Sequence, residues 1–148
     1  MSYLLDTCVI SEFVKKKPEP KVIRWLKNCR EDKLYLSVLT LGEIQKGISL
    51  LSDAKKKMPL TTWLHEELPI RFEGRIIGIN EDVALQWGQI LGKSQVKGII
   101  IPAIDGLIAA SALVHHLTVV TRNKKDIEKS GVSIFDPWED KFTHQEIS

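Results

Sequence analysis

The sequence predicts an α/β fold built on a central, mainly parallel sheet of about five strands. Two observations carry the prediction. Short runs rich in apolar and β-branched residues alternate along the chain with stretches that repeat apolar residues at helical spacing. The stretches between the runs are also long enough for the crossover that joins parallel neighbours, which covers both faces of the sheet with helices.

The elements follow in order. Tyr3 to Leu5 reads as a short buried strand, and a helix runs from Thr7 to about Val14, which leaves Asp6 at the junction. Lys15-Lys16-Lys17-Pro18-Glu19-Pro20 breaks that helix. A second helix carries Val22, Ile23, Leu26 and Cys29 at helical spacing. Leu34 to Val38 is the next strand, and Leu41, Ile44, Ile48 and Leu51 mark an amphipathic helix with Glu43 expected in its first turn. Beyond Lys55-Lys56-Lys57, a helical stretch with Trp63, Leu64, Leu68 and Phe72 is interrupted by Pro59 and Pro69. Those apolar side chains are assigned to the core, with a groove for a partner helix or second subunit as the alternative.

Ile76 to Ile79 reads as the third strand, followed by a helix with Val83, Ala84, Trp87, Ile90 and Leu91 that Gly98 ends. Pro102 is placed as the first residue of the next helix, where its missing N–H would have no partner anyway, and that helix continues to about His115. Leu117 to Thr121 is the fourth strand, a brief helix starts at Lys124, and Val132 to Ile134 is the fifth. The 148 residues amount to one domain, taken as residues 1–140, with a polar tail at 141–148.

Hydrophobic residues at 43% and charged residues at 27% are ordinary for a soluble globular protein, which sets aside collagen, coiled coil and disorder. A net charge of +2 and a pI near 8.5 are compatible with a polyanionic partner and fall short of a nucleic-acid coat protein. Cys8 and Cys29 form neither a disulfide framework nor a C-x-x-C motif, which suits a reducing compartment. No secretory leader or membrane-length apolar run is evident, so the expected location is the cytoplasm and no membrane partner is expected.

Four carboxylates recur at comparable places: Asp6, Glu43, Asp105 and Asp126. Each is at or near a helix start, and in an open α/β sheet those starts face the crevice at the carboxyl ends of the strands. Acids are favoured there for capping and for the helix dipole as well. Thr40-Leu41-Gly42-Glu43 matches a capping box, and Asn123-Lys124-Lys125-Asp126 imitates one. Asp105 resists that explanation, because it shares a helical face with Ile108, Ala109 and Ala112. A carboxylate on a buried face costs several kcal/mol unless compensated, and a cation would compensate it. Oxygen donors without a histidine or cysteine set favour Mg²⁺ or Mn²⁺ over Zn²⁺. Such an ion activates water and neutralises charge on a phosphodiester undergoing hydrolysis.

The run Leu4-Leu5-Asp6-Thr7-Cys8-Val9-Ile10-Ser11-Glu12 resembles the opening motif of PIN-domain ribonucleases, particularly the toxins of VapBC toxin–antitoxin pairs. Three further blocks agree: Leu41-Gly42-Glu43-Ile44 with Gly47, Pro102 to Ala110 around Asp105, and Val119-Val120-Thr121-Arg122-Asn123 with Asp126. The blocks occur in family order from the first strand to nearly the last. The resemblance implies a three-layer α/β/α fold and a metal-dependent endoribonuclease that is inhibited by a cognate antitoxin and commonly dimerises.

By matching positions, Asp6 and Asp105 become direct metal ligands, Glu43 and Asp126 complete the acidic set directly or through water, and Thr121 and Asn123 support it. For Thr121 and Asn123 a strand-end or N-cap role is the alternative. The family usually has asparagine where this chain has Cys8, which puts the geometry around the acids in question. Arg122, Lys124 and Lys125 share a loop with the expected site and are candidates to hold RNA phosphates.

His115-His116 lacks ligand spacing and is read as structural. Two other functions compete with the ribonuclease. One is an inactive binding module of the same fold. The other is a phosphotransferase with Asp6 as nucleophile, which ranks lower because Cys8 stands where its second aspartate belongs. A signalling receiver domain is disfavoured, since Asn80-Glu81 follows the middle strand in place of a phosphoacceptor aspartate.

Overall fold

The protein is described as a computed structural model over residues 1–139; the expected tail at 141–148 lies outside the described residues. Five parallel strands form the sheet: β1 (Tyr3–Leu5), β2 (Leu34–Ser37), β3 (Ile76–Ile77), β4 (Thr118–Val120) and β5 (Ile134–Phe135), in spatial order β3-β2-β1-β4-β5. The expected parallel α/β sheet is therefore observed. The register pairs Tyr3 with Leu34 on one side of β1 and with Thr118 on the other.

The helices are α1 (Thr7–Ile10, continued as a 3-10 turn Ser11–Val14), α2 (Pro20–Asn28), α3 (Val38–Ser49), α4 (Ala54–Thr62), α5 (Leu68–Arg71), α6 (Glu81–Val96), α7 (Ala103–His115) and α8 (Lys124–Ile127). They bury two cores, one on each face of the sheet. Alternation of side chains along a strand sends Leu5 and Val120 into one core and their neighbours Leu4 and Val119 into the other. Leu64, Leu68 and Phe72 join the first core with Trp63 packed against them, so the core assignment of that stretch is correct. A π-helical segment, Trp63–Glu67, connects α4 to α5, with the Leu68 N–H reaching the Trp63 carbonyl, and Pro69 follows within the first turn of α5.

Three local expectations are corrected. The helix after β2 starts at Val38 directly from the strand, capped by the Ser37 hydroxyl, which accepts from the Leu39 N–H at 3.0 Å. Thr40 is therefore inside the helix and fully buried, the expected capping box does not form, and Glu43 falls in the second turn. Asn123 precedes α8 without a side-chain cap, and Asp126 pairs with Lys129 at 3.4 Å, so that imitation of a capping box fails too. Pro102 is the N-cap of α7 and not its first residue. Gly98 does stop α6, with a left-handed φ of 75°.

Candidate active site at the β1–β4 seam

From β1 the chain builds outward to β2 and β3, then returns to place β4 on the other flank of β1. The reversal opens a crevice at the carboxyl ends of β1 and β4, where an open α/β sheet binds its ligands. Asp6 and Thr121 are the first residues beyond those two strands. The Asp6 N–H donates to the Val120 carbonyl at 2.9 Å, which extends the ladder by one residue and fixes the Asp6 backbone.

Both oxygens of Asp6 are engaged. Oδ1 accepts from the Thr7 N–H at 2.8 Å and so caps α1, while Oδ2 accepts from the Thr121 hydroxyl at 2.8 Å. The capping reading of Asp6 is thus realised through one oxygen, while the other is held by Thr121. Thr121 is fully buried, and its hydroxyl also accepts from the Asn123 N–H at 2.9 Å. The Cys8 sulfur lies 3.9 Å from Asp6 Oδ2 and 3.7 Å from Thr121 Oγ1. Burial, and then the Asp6 charge, push the Cys8 thiol above its ordinary pKa.

Glu43 reaches the crevice from α3, where its Oε1 accepts from the Thr7 hydroxyl at 2.6 Å. Asp105 enters from the first turn of α7. Its helical neighbours Ile108, Ala109 and Ala112 are buried, as its face predicts. Burial raises the Asp105 pKa, and the charges of Asp126, Asp6 and Glu43 raise it further, in that order. The other three acids are therefore all close enough to act on Asp105. Asp6, Thr7, Cys8, Glu43, Asp105, Arg122 and Asn123 line a cavity of about 270 Å³, with Ile104 and Ile108 as its apolar wall. Asp126 stands beside this lining group and faces Lys129. Among the described residues, no three carboxylate, imidazole or thiol groups gather closely enough to enclose one metal ion.

The basic residues after β4 divide. The Arg122 guanidinium lies 4.6 Å above the Trp138 ring at the edge of the cavity. Lys124 is bound by Glu139 and by Asp136, the latter at 3.4 Å, and Lys125 is exposed. Two residues of the opening motif had no assigned role in the sequence reading. Thr7 couples Glu43 to α1. Glu12 is 1% exposed, accepts from the Glu19 N–H at 2.8 Å and pairs with Lys15 at 2.5 Å. Burial alone would raise the Glu12 pKa, but Lys15, the Glu19 amide and the nearby Arg122 charge outweigh it and leave the carboxyl below its ordinary value. Their placement inside the motif was the available signal.

The PIN domain family matches residues 3–130 of the chain. The chain belongs to the PIN domain family. Toxin FitB of Neisseria gonorrhoeae is 39% identical over 93% of this PIN domain chain and 99% of its own length. The VapC ribonuclease Y4jK of Sinorhizobium fredii is 31% identical over 92% and 97%. In the crystal structure of FitAcB from Neisseria gonorrhoeae, the matching chain superposes with a TM-score of 0.88, covering 93% of this chain and 99% of that one at 39% identity. DNA-bound VapBC from Salmonella typhimurium gives 0.75 at 25% identity, over 93% and 98%. These relatives place the PIN domain described here among the VapC-type toxins, as its opening motif implies. Among the described residues, no helix is long and apolar enough to cross a membrane.

Proposed function

We propose that the chain is a Mg²⁺-dependent endoribonuclease, the toxin of a toxin–antitoxin pair, which hydrolyses RNA phosphodiesters in the cavity at the β1–β4 seam. The observation that supports it most is the convergence of Asp6, Glu43 and Asp105, from three separate parts of the chain, on one cavity, with Asp126 beside it and close enough to act on Asp105. Such a set is strained in isolation, because each negative charge disfavours its neighbours. The ribonuclease names of its relatives, VapC ribonuclease Y4jK among them, agree with that chemistry.

The donors suit a hard divalent ion. All four are carboxylates, and burial together with the Asp6 charge disfavours the thiolate form of Cys8 beside them. Mg²⁺ usually keeps several waters and is held by one or two carboxylates with the substrate phosphate, so it needs no three-ligand cage. Asp6 and Asp105 would hold it, with Glu43 and Asp126 reached through water; Mn²⁺ fits the same donors. When bound, the ion supplies charge neutralisation at the phosphate and acidifies water. The protein's own part is orientation. The Thr121 hydroxyl and Thr7 N–H fix Asp6, and the Thr7 hydroxyl fixes Glu43 as the group positioned to accept a proton from attacking water. Arg122 at the cavity edge presents a guanidinium to phosphate oxygens.

A cognate antitoxin, homodimerisation and a cytoplasmic location complete the proposal. The FitAB and VapBC complexes among the structural relatives support the antitoxin. The test is cleavage of a mixed RNA pool by the purified chain with Mg²⁺ or Mn²⁺, and its arrest by a chelator. Asp6→Asn and Asp105→Asn should each abolish cleavage with the fold intact; full activity in both would defeat the assignment.

A further inference from the structure

The acids around the cavity repel the strand on either side of the phosphate being cut, and Arg122 is one cation at the cavity edge, so further cations beyond the cavity are needed to hold that strand. Lys124 is unsuited to that task, because Asp136 and Glu139 already neutralise it. A second cavity, of about 180 Å³, lies where α6 packs against the 3-10 turn Glu128–Ser130 that follows α8. Lys93, Lys97 and Lys129 line it together with Gln86, Gln89 and Ser130, and its lining contains no carboxylate.

Lys93 stands in the last turn of α6 and Lys97 is the residue that caps its C-terminal end, and both are exposed. Among the described residues, neither pairs with an acid. Two unopposed ammonium groups, with the amide N–H groups of Gln86 and Gln89 beside them, offer donors suited to phosphate oxygens, while the Ser130 hydroxyl is already committed to the Ile127 carbonyl.

The cavity also reaches toward Asp126, whose charge acts on Asp105. Lys129 is part of its wall, yet the Lys129 ammonium stands 3.4 Å from Asp126 Oδ1. One side chain thus spans from the phosphate-suited cavity to the fourth acid of the seam. That continuity favours a ligand which occupies both places, as a nucleic-acid strand does.

We propose that this cavity binds a backbone phosphate of the RNA strand flanking the cleavage position, with Lys93 and Lys97 as its cations. The proposal rests on the ribonuclease reading for the identity of the strand, and its test reads binding separately from cleavage. The probe is a fluorescein-labelled single-stranded RNA of about 20 nucleotides and mixed sequence, titrated in chelator against the wild type and Lys93→Gln/Lys97→Gln. The variant should bind roughly tenfold more weakly near 0.1 M salt, with a log–log salt slope shallower by about 1.5. With Mg²⁺ restored, its KM for that RNA should rise while kcat and cleavage of a dinucleotide stay within about twofold.

Equal affinity and slope in the two proteins would overturn the proposal, as would an equal loss on the dinucleotide, which marks a structural effect. Inorganic phosphate that raises the wild-type Tm alone, with RNA binding the same in both, would assign the cavity to a free anion instead. Unchanged RNA binding with loss of an acidic protein partner would assign it to that partner. RNA binding that depends on these lysines without any cleavage would keep this site and defeat only the hydrolytic reading.

Discussion

The hydroxyl of Thr121 donates to Asp6 Oδ2 at 2.8 Å across the seam between two parallel strands, joining residues 115 positions apart. The same hydroxyl accepts from the Asn123 N–H, so both of its hydrogen-bonding functions are used. Thr121→Val should therefore leave an acceptor and a donor short of a partner, at a cost of about 1–3 kcal/mol in urea unfolding. It should also slow RNA cleavage roughly 10- to 100-fold, as loss of a group that orients a metal-binding carboxylate does. Thr121→Ser, which restores the hydroxyl, should recover most of both.

The two thiols should be sluggish nucleophiles. Burial raises Cys8, with the Asp6 charge adding to it, and burial pushes Cys29 up to about 11. Alkylation by iodoacetamide at neutral pH should be slower at each than for free cysteine, and should accelerate as the pH rises past the ordinary thiol range. Cys8→Asn places an amide near Asp6 and Thr121, where the sulfur makes only long contacts. Cleavage should hold or rise a few-fold; a tenfold fall would show that the thiol itself is required.

Asp105 gives a pH dependence with a definite sign. Burial and three neighbouring charges raise its folded pKa above the ordinary 3.8, so its ionised form is disfavoured in the folded chain. Its contribution to stability therefore improves as the pH falls through the raised pKa, and no difference remains below the unfolded value. Asp105→Asn should raise Tm at pH 7, and the gain should shrink on acidification and vanish near pH 3.8. Mg²⁺ at neutral pH should raise the wild-type Tm more than the variant's.

Gly106 marks the close approach of α7 to α6. A Cβ there would meet the Trp87 ring at 3.1 Å and Leu91 at 3.3 Å, and the Trp87 Nε1 donates to the Ala103 carbonyl at 3.2 Å. Gly106→Val should cost about 1–3 kcal/mol by overpacking, with Gly106→Ala at the lower end, measured by denaturant unfolding. Because Asp105 is the adjacent residue, cleavage by the valine variant should fall more than its stability alone requires.

Strand–helix alternation made the parallel sheet readable from periodicity, and the position of Asp105 on an apolar face singled it out before any geometry was known. The capping of α3 was not readable in the same way. Ser37 and Thr40 are both good caps three residues apart, and the choice depends on where β2 ends, which apolar pattern does not fix. Thr7 and Lys124 illustrate a second limit. Their partners, Glu43 and Asp136 with Glu139, are distant in sequence, so only the packing of α3 and the segment after β5 reveals what each side chain is committed to.

Sheet order has one more effect, in time. During translation Thr121 is made 115 residues after the Asp6 that it binds. Until β4 docks against β1, a nascent chain has the first aspartate and lacks the hydroxyl that orients it. A chain that ends before that point cannot assemble the pocket, whatever chemistry the pocket performs.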